Sequence, residues 1–386
     1  MKKTKIFLSL FILCLFIFPG FALAQNDTEG VNGGQNIPAD AYYKAEVVQI
    51  VSQDYQGTGI DKQVFQNLEV KILDGDEKNK LVEIDNVGGT TVNGGRNFKV
   101  GDTVVINKTT DNGETAYYVN DIYRIPALVI VTILFFALVM VFSRWRGVTS
   151  ILGLGLSILV IVKFVAPEIL AGKNPLAVSL IGIAVIAVIS LYLAHGFNKR
   201  TSIALLGTAI TLVLAVVVSL LFVHFTALFG NGSDESVYLQ FNQTTRINLQ
   251  GLLLGGIMLG VLGVLDDITT AQSATVDELK KANPNLTFKE LYTGAASVGR
   301  EHISSLINTL FLAYAGVSLP LFLLLSTNGG APIWTTLNSE FIAEEIVRTV
   351  IGSMTLVVAV PITTLLAAYF FTKTGPSKAQ GHSHIH

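Results

Sequence analysis

Apolar residues dominate the chain from about residue 127 onward, where they form runs separated by short polar loops. About 20 predominantly apolar residues cross the hydrocarbon core of a bilayer as a helix. The pattern therefore predicts an α-helical polytopic membrane domain, residues 125–372, with about seven spans. The predicted spans are Ala127–Phe142, Val148–Val165, Leu176–Ala194, Ile203–Phe225, Gln250–Leu265, Ile303–Leu325 and Ile346–Phe371.

Before these runs, residues from about 40 to 123 alternate between apolar and polar positions, which is typical of half-buried strands. Gly-containing dipeptides such as Asp74-Gly75 and Asn112-Gly113 mark turns between them. The five predicted strands are Tyr42–Val51, Phe65–Leu73, Lys80–Ile84, Thr103–Asn107 and Ala116–Val119. This spacing predicts a small extracytoplasmic antiparallel β-barrel, OB-like, within residues 25–124. We interpret it as a structural or partner-contacting module rather than a ligand-binding one.

The first 24 residues have the features of a secretory signal peptide. Three lysines precede the apolar segment Ile6–Phe18, and Ala22-Leu23-Ala24 supplies the small residues of a cleavage site. Residues 373–386 form a predicted cytoplasmic tail with three histidines, which either bind metal loosely or are simply solvated.

Lysine and arginine in short loops predict the orientation in a bacterial plasma membrane, because basic residues favour the cytoplasmic side. With the β-rich domain outside, the inner loops hold ten basic residues: Arg144, Arg146, Lys199, Arg200, Lys280, Lys281, Lys289, Arg300, Lys373 and Lys378. The outer ends hold five: Arg124, Lys163, Lys173, Arg246 and Arg348. The bias agrees with the signal peptide and places the C-terminus in the cytoplasm, which an odd number of spans requires.

Composition narrows the possible functions. The chain is 51% hydrophobic and 14% charged with a formal net charge of −2, so nothing favours a nucleic-acid partner. The one cysteine, Cys14, lies in the predicted signal peptide, which leaves the mature chain without a disulfide or a cysteine nucleophile. The sequence contains no HExxH, P-loop or GxSxG motif, so we predict neither an enzyme nor a cofactor.

The stretch Leu249–Gln272 combines an apolar helix with two adjacent carboxylates, Asp266 and Asp267. Acids at membrane depth are costly and usually mark function. At 100° per residue, Asp267 shares a face with one set of glycines and Asp266 lies nearer another. The two sets, predicted to pack against other helices, are Gly256, Gly260 and Gly263, and Gly251 and Gly255. The aspartates either enter a polar cavity at the cytoplasmic end or merely end the helix.

A second group of polar residues follows a cytoplasmic loop and enters the predicted sixth span. Together with Asp266 and Asp267, it predicts a site for an ion, proton or substrate, because oxygen-rich surroundings suit hard cations. In the alternative interpretation, Arg300 pairs with one aspartate as a structural clamp. The further candidate residues are Thr270, Gln272, Arg300, Glu301, His302, Ser305 and Asn308. We interpret His195, beside Lys199 and Arg200, as part of a cytosolic anchor.

Two segments, GVLGVLDDITTAQ (residues 260–272) and SVGREHISSLINTLFLAYAG (residues 297–316), together with the preceding β-rich domain, resemble the YibE/F-like family of bacterial multi-spanning membrane proteins. The resemblance extends over essentially the whole mature chain. It implies a polytopic membrane protein of the Gram-positive type, and it supplies no catalytic residues.

Three functions compete. A permease or ion-coupled transporter predicts a water-accessible cavity that reaches Asp267. A non-transporting envelope scaffold or assembly factor predicts closed packing there and an apolar partner surface on the β-rich domain. A membrane subunit that docks a cytosolic ATPase predicts an exposed apolar face around Leu291–Ala296. The sequence favours the permease.

Overall fold

The structure is a computed structural model, and it describes residues 41–56, 63–88, 97–111, 114–241, 247–320, 323 and 332–374. The predicted signal peptide and the histidine-containing end of the tail lie outside these residues. The chain divides into two units, one ending at Leu138 and the other continuing from Val139. Each unit is described by itself below.

The first unit contains a five-stranded antiparallel sheet, and all five predicted strands are confirmed. The strands run in the order β3-β2-β1-β4-β5 and curve into a half-barrel in which the edge strands β3 and β5 contact each other. Their bounds are β1 Ala41–Gln56, β2 Gln63–Ile72, β3 Leu81–Gly88, β4 Thr103–Asp111 and β5 Glu114–Ile122.

Alternation along the strands sends one set of side chains into the core, as the period of two requires. On β1, for example, Tyr43, Ala45 and Val47 are buried while Tyr42 is 56% exposed. A register shift between Val47 and Gln49 marks a bulge, where β1 bends across β2. The core is formed by Tyr43, Ala45, Val47, Leu68, Val70, Ile72, Val82, Ile84, Val87, Phe98, Val104, Ile106 and Val119.

An ionic cluster links the turn between β2 and β3 to side chains of β4 and β5. Glu77, in the turn between β2 and β3, lies 2.6 Å from Lys108 Nζ and 3.0 Å from Lys80 Nζ, and it accepts a hydrogen bond from Tyr117 Oη. The hydrogen bond from Lys108, followed by that from Tyr117, lowers the pKa of Glu77 to about 2. The hydrogen bond to Asp76 similarly raises the pKa of Tyr43 to about 12.

The helices follow in the second part of the chain. They are α1 Ile125–Val160, a π-helical turn Ile161–Val165, α2 Ala166–Leu170, α3 Pro175–His195, α4 Lys199–Phe225, α5 Asp234–Phe241, α6 Leu249–Ala282, α7 Phe288–Val317, α8 Ile333–Leu337 and α9 Glu340–Thr374. Arg144 has a left-handed φ of 51°, which interrupts α1 and divides it into two spans. Asn174, Asn198 and Asn248 cap α3, α4 and α6 by accepting backbone N–H bonds.

Within the described residues, six helices are long and apolar enough to cross a membrane: Ile125–Trp145, Gly147–Leu170, Pro175–His195, Lys199–Phe225, Leu249–Ala282 and Glu340–Lys373. They match six of the seven predicted spans. The remaining prediction, Ile303–Leu325, falls on the second half of α7 and on the residues after it, of which 321, 322, 324 and 325 lie outside the description. The apolar helices establish association with a lipid bilayer, and the count of seven stays a prediction.

Helix α6 is the centre of the second unit. It packs against α3, α4, α7 and α9, and its buried residues run from Leu249 to Lys280. The main core cluster draws more of its members from α6 than from any other helix, including Ile257, Met258, Leu265 and Ile268. A second cluster joins the far end of α6 to α7 and α9 through Val276, Leu291, Ala295 and Phe371.

Only one of the two glycine sets on α6 makes a close helix contact. A Cβ added at Gly255 would lie 2.9 Å from Ser179 Cβ on α3, and one at Gly251 would lie 3.4 Å from Pro175 Cδ. Among the described residues, a Cβ at Gly256 or Gly263 would meet nothing within 4 Å, and one at Gly260 would meet only Tyr314 Oη, at 3.3 Å. The close approach of α6 therefore lies at Gly251 and Gly255, and the other glycine face is open.

This difference predicts the stability of two matched variants. Gly255→Ala should destabilise the protein by about 1–3 kcal/mol, because the added methyl forces α3 away from α6. Gly263→Ala makes the same change on the open face of the same helix and should not lower the melting temperature in detergent. Equal melting temperatures for the two variants would contradict a close contact at Gly255.

The ionic cluster predicts acid sensitivity of the β-rich domain. Since the folded-state pKa of Glu77 lies below its ordinary value of 4.5, the contribution of Glu77 is fully present above about pH 4.5. It is lost as the pH falls through about 2. After discounting for solvent screening, we expect this loss to be on the order of 1 kcal/mol.

Urea unfolding of a fragment spanning residues 25–124, followed by circular dichroism, measures this loss. Stability should fall between pH 4.5 and 2, and Glu77→Gln should flatten that dependence. Glu83→Gln, on an exposed strand position outside the cluster, is the control and should keep the dependence of the unsubstituted fragment. An identical pH profile for Glu77→Gln and the unsubstituted fragment would contradict the assignment.

Candidate functional site

The two adjacent aspartates of α6 point in different directions. Asp266 turns towards α3, where Ser190 Oγ donates a hydrogen bond to its Oδ2 at 3.3 Å. Its other oxygen, Oδ1, is buried and has no hydrogen-bond partner among the described residues. The Asp267 side chain is exposed and interacts electrostatically with His195, the last residue of α3. Both carboxylates therefore lie beside the end of α3.

Residues Ser190 and His195 are the functional candidates that sequence reasoning missed. We interpreted His195 as an anchor because it precedes two basic residues. The sequence nevertheless contained the information needed to find them, since the third and fifth predicted spans run in the same direction and end at the same membrane level. That alignment brings the end of α3 next to Asp266 and Asp267.

A buried polar seam lies next to the aspartates, where α6 meets α4 and α9. Thr208 and Thr269 are both fully buried, and their hydroxyls lie 2.9 Å apart. Thr269 Oγ1 also donates to Leu265 O, so Thr208 is the donor of the shared bond. On α9, Thr363 Oγ1 is buried without a partner among the described residues, next to Gly207 on α4. Polar side chains that cross between membrane helices in this way both hold helices together and mark ion pathways.

Gln272 continues the seam one turn further along α6. Its Nε2 donates to Ala295 O on α7 at 2.7 Å, while Oε1 is buried and accepts no hydrogen bond within the described structure. Gly299 on α7 gives this side chain room, because an added Cβ would lie 3.0 Å from Gln272 Nε2. Gln272 therefore joins α6 to α7 and keeps one free acceptor oxygen inside the bundle.

The predicted site residues on α7 are not brought to the aspartates by any hydrogen bond or ion pair among the described residues. Arg300 is exposed and does not clamp Asp266 or Asp267, so the clamp interpretation gains no support. Thr270 Oγ1 bonds back to Asp266 O at 2.7 Å within its own helix. The remaining predicted residues are all exposed: Glu301, His302, Ser305 and Asn308. A shared cavity between Asp267 and Glu301 stays a prediction.

A second group of charges, which sequence reasoning missed, lies near the Leu249 end of α6. At the start of α9, Glu340 Oε1 accepts the backbone N–H groups of Phe229, Gly230 and Asn231 at 2.5–3.2 Å. One turn later, Glu344 Oε1 accepts the N–H of Gly232 at 2.9 Å. Two carboxylates four residues apart thus hold the segment after α4 against α9.

No group of three or more His, Cys, Asp or Glu side chains that could hold a metal ion occurs in the described part of the chain. The aspartate pair, with Ser190 beside it, presents carboxylate and hydroxyl oxygens near the end of α3. It does not form a closed metal site of the kind that carboxylate cages give to Ca²⁺.

A family model described as YibE/F-like protein matches residues 131–373, and the chain belongs to this family. The match covers the helical part and begins after the β-rich domain, which therefore lies outside it, although the sequence resemblance was drawn over the whole mature chain. Neither the curated proteins nor the solved structures contain a match to this chain.

The exposure of Asp267 can be tested by cysteine labelling. In a Cys14→Ser background, Asp267→Cys should react with a charged methanethiosulfonate reagent, which requires water at the site. Thr269→Cys, buried two residues away, should react at least about tenfold more slowly. Unreactive Asp267→Cys would show that this face contacts lipid or protein rather than water.

Proposed function

We propose that the protein is a permease or ion-coupled transporter in which Asp266 is the coupling carboxylate. The observation that carries this proposal is the environment of Asp266, on a membrane-spanning helix with one carboxylate oxygen buried and without a hydrogen-bond partner among the described residues. An unpaired acid at such a position is costly, and such acids mark ion and proton pathways. A purely structural acid would be expected to have its oxygens satisfied.

In this mechanism, a proton or a monovalent cation neutralises Asp266 during each cycle. Ser190 supplies a neutral hydroxyl partner, and Asp267 beside His195 gives an exposed entry for the ion. The seam formed by Thr208, Thr269 and Gln272 places further oxygens inside the bundle, along the contacts between α4, α6 and α7. Alternate occupancy of these oxygens would couple the ion to the movement of a substrate.

The proposal also includes the domain type, the number of spans and the orientation that the sequence predicts. The β-rich domain, OB-like, lies outside the cytoplasmic membrane, the chain crosses seven times and the C-terminus is cytoplasmic. The order β3-β2-β1-β4-β5 with contacting edge strands supports an OB-like domain, because joining β3 to β5 would close the sheet into a five-stranded barrel. The excess of basic residues in the predicted inner loops supports the orientation. We assign no catalytic activity.

The scaffold alternative has one observation in its favour. Tyr42 and Tyr118 are each more than half exposed and lie on either side of Asn107 on neighbouring strands, so the two rings share one face of the sheet. Exposed tyrosines on a rigid sheet suit a protein partner. A partner of the β-rich domain is compatible with a permease in the membrane.

The surface that the ATPase-docking alternative requires is largely buried. It requires an exposed apolar face around Leu291–Ala296, but Leu291 and Ala295 are fully buried against α6 and α9. The neighbouring Thr293 and Gly294 are exposed and are not apolar anchors.

Transport is tested with the full chain reconstituted in vesicles that contain a pH-sensitive dye. A panel of inward gradients of Na⁺, K⁺ and ammonium should reveal protein-dependent proton or cation flux. Asp266→Asn keeps the side-chain size but removes the charge, so we expect flux to fall to the level of protein-free vesicles with an unchanged melting temperature.

The matched control is Glu278→Gln, which removes a carboxylate from an exposed position on the same helix and should keep full flux. Full flux in Asp266→Asn would contradict the proposal. A lowered melting temperature with unchanged flux would assign Asp266 a structural role.

A further inference from the structure

A cavity lies at the Leu249 end of α6, away from the aspartate pair. It has a volume of about 560 Å³, within the range of small-molecule sites. Its walls come from the segment after α4, from α5, from α6, from the end of α7 and from the start of α9. The proposed coupling site does not use this cavity, since Gly256 on its wall precedes Asp266 by ten residues, or about 15 Å along the helix.

The charge in this cavity is negative and incompletely balanced. Glu344 is only 5% exposed, yet no Lys or Arg nitrogen lies within ion-pair distance of it among the described residues. Arg348, the one basic residue of the wall, lies 3.1 Å from Glu345 and interacts with Glu344 electrostatically from beyond ion-pair distance. Glu235 adds a further carboxylate. A buried carboxylate without a cation is expensive, so this site is suited to receive positive charge.

Contacts with the segment after α4 fix the position of the Glu344 carboxylate. Its Oε1 accepts the N–H of Gly232, whereas its Oε2 accepts no hydrogen bond from the described residues. A Cβ added at Gly232 would lie 2.5 Å from Glu344 Cδ, so the glycine is what allows the carboxylate to sit there. The adjoining segment is held by Glu340 through three backbone N–H groups. The carboxylate is therefore held by a rigid wall with one oxygen available to a ligand.

Most of the remaining wall is apolar. Leu249, Leu252 and Leu253 of α6 and Phe341 of α9 contribute hydrocarbon and aromatic surface. Gly256 lies among them with nothing within 4 Å of an added Cβ, so it leaves space in the cavity. An apolar wall with one buried negative group fits a ligand that has an apolar body and one positive charge. It does not suit a small hydrated metal ion, which prefers several oxygen ligands.

We propose that this cavity binds an amphiphilic organic monocation, with Glu344 as its countercharge and the leucines and Phe341 around its apolar groups. The proposal concerns binding at a second site and does not rest on the chain being a transporter. If the chain is a transporter, the class of ligand is a lipophilic ammonium or a chemically similar cation.

Binding is measured on the purified full chain in detergent by equilibrium dialysis against tetraphenylphosphonium. The control ligand is tetraphenylborate, an anion of nearly the same size and apolarity, and protein-free micelles correct for partitioning. We expect saturable binding of the cation, at least about tenfold weaker binding of the anion, and one cation per chain.

Two variants then localise the site. Glu344→Gln keeps an oxygen for the Gly232 N–H but removes the charge, and it should weaken cation binding at least about tenfold. Gly256→Leu fills the cavity from the opposite wall while Glu344 stays intact, and it should abolish binding without loss of folding. Glu278→Gln, at the other end of α6, should bind like the unsubstituted chain.

Several results would overturn the proposal. These are no saturable cation binding by the unsubstituted chain, equal affinity for the two ions of opposite charge, or unchanged affinity in both Glu344→Gln and Gly256→Leu. Asp266→Asn separates this site from the proposed coupling site, because it should lose flux but keep cation binding. Loss of binding in Asp266→Asn with retained folding would show that the cation binds at the aspartates instead.

Discussion

The helical unit depends on the close approach of α6 to its neighbours. Lipid tails are as apolar as leucine, so membrane helices gain little from burying hydrophobic surface against each other and associate through close packing and polar contacts. Gly251 and Gly255 supply the close packing against α3, and the Thr208–Thr269 and Gln272–Ala295 bonds supply polar contacts to α4 and α7. Because α6 contacts α3, α4 and α7 in this way and also packs against α9, it is the central helix of the unit.

This arrangement also separates charge along α6. Asp266 and Asp267 lie near the middle of the helix, beside α3, and Glu344 with Arg348 lies near its Leu249 end, beside the start of α9. A charged side chain is least costly where it meets water, a partner or a polar cavity. Between these positions, Gly251–Leu265 consists of apolar residues and glycines, and the buried residues of α6 continue beyond Asp267 to Lys280.

The pattern of apolar and polar residues along the sequence predicted most of the strands and helices. The five strands and six of the spans follow from alternation and from apolar length, both of which are local properties of the chain. The partners of the acids did not follow, because the rotation of one helix against another is decided by packing. Asp266 contacts Ser190 instead of the α7 residues, and the packed glycines are Gly251 and Gly255 instead of the set on the Asp267 face. Glu344 was missed for a similar reason, since its burial depends on a segment more than 100 residues earlier that folds over α9.

The open glycine face of α6 extends from the cavity beside Glu344 towards the aspartates. Gly256 lines the cavity that contains Glu344, and Gly260 and Gly263 continue along the helix towards Asp267, which lies on the same face. Glycines that pack against no neighbour are costly in a helix unless the space beside them is used. In soluble helices, alanine at such positions would be more favourable by roughly 1 kcal/mol each. Under the proposed transport function, a ligand or ion would pass beside the bare backbone of this face, where Tyr314 Oη of α7 is the one described atom within 4 Å of an added Cβ. The cation cavity and the aspartate site stay separate proposals, because Gly256 lines the cavity whereas Asp266 turns towards α3.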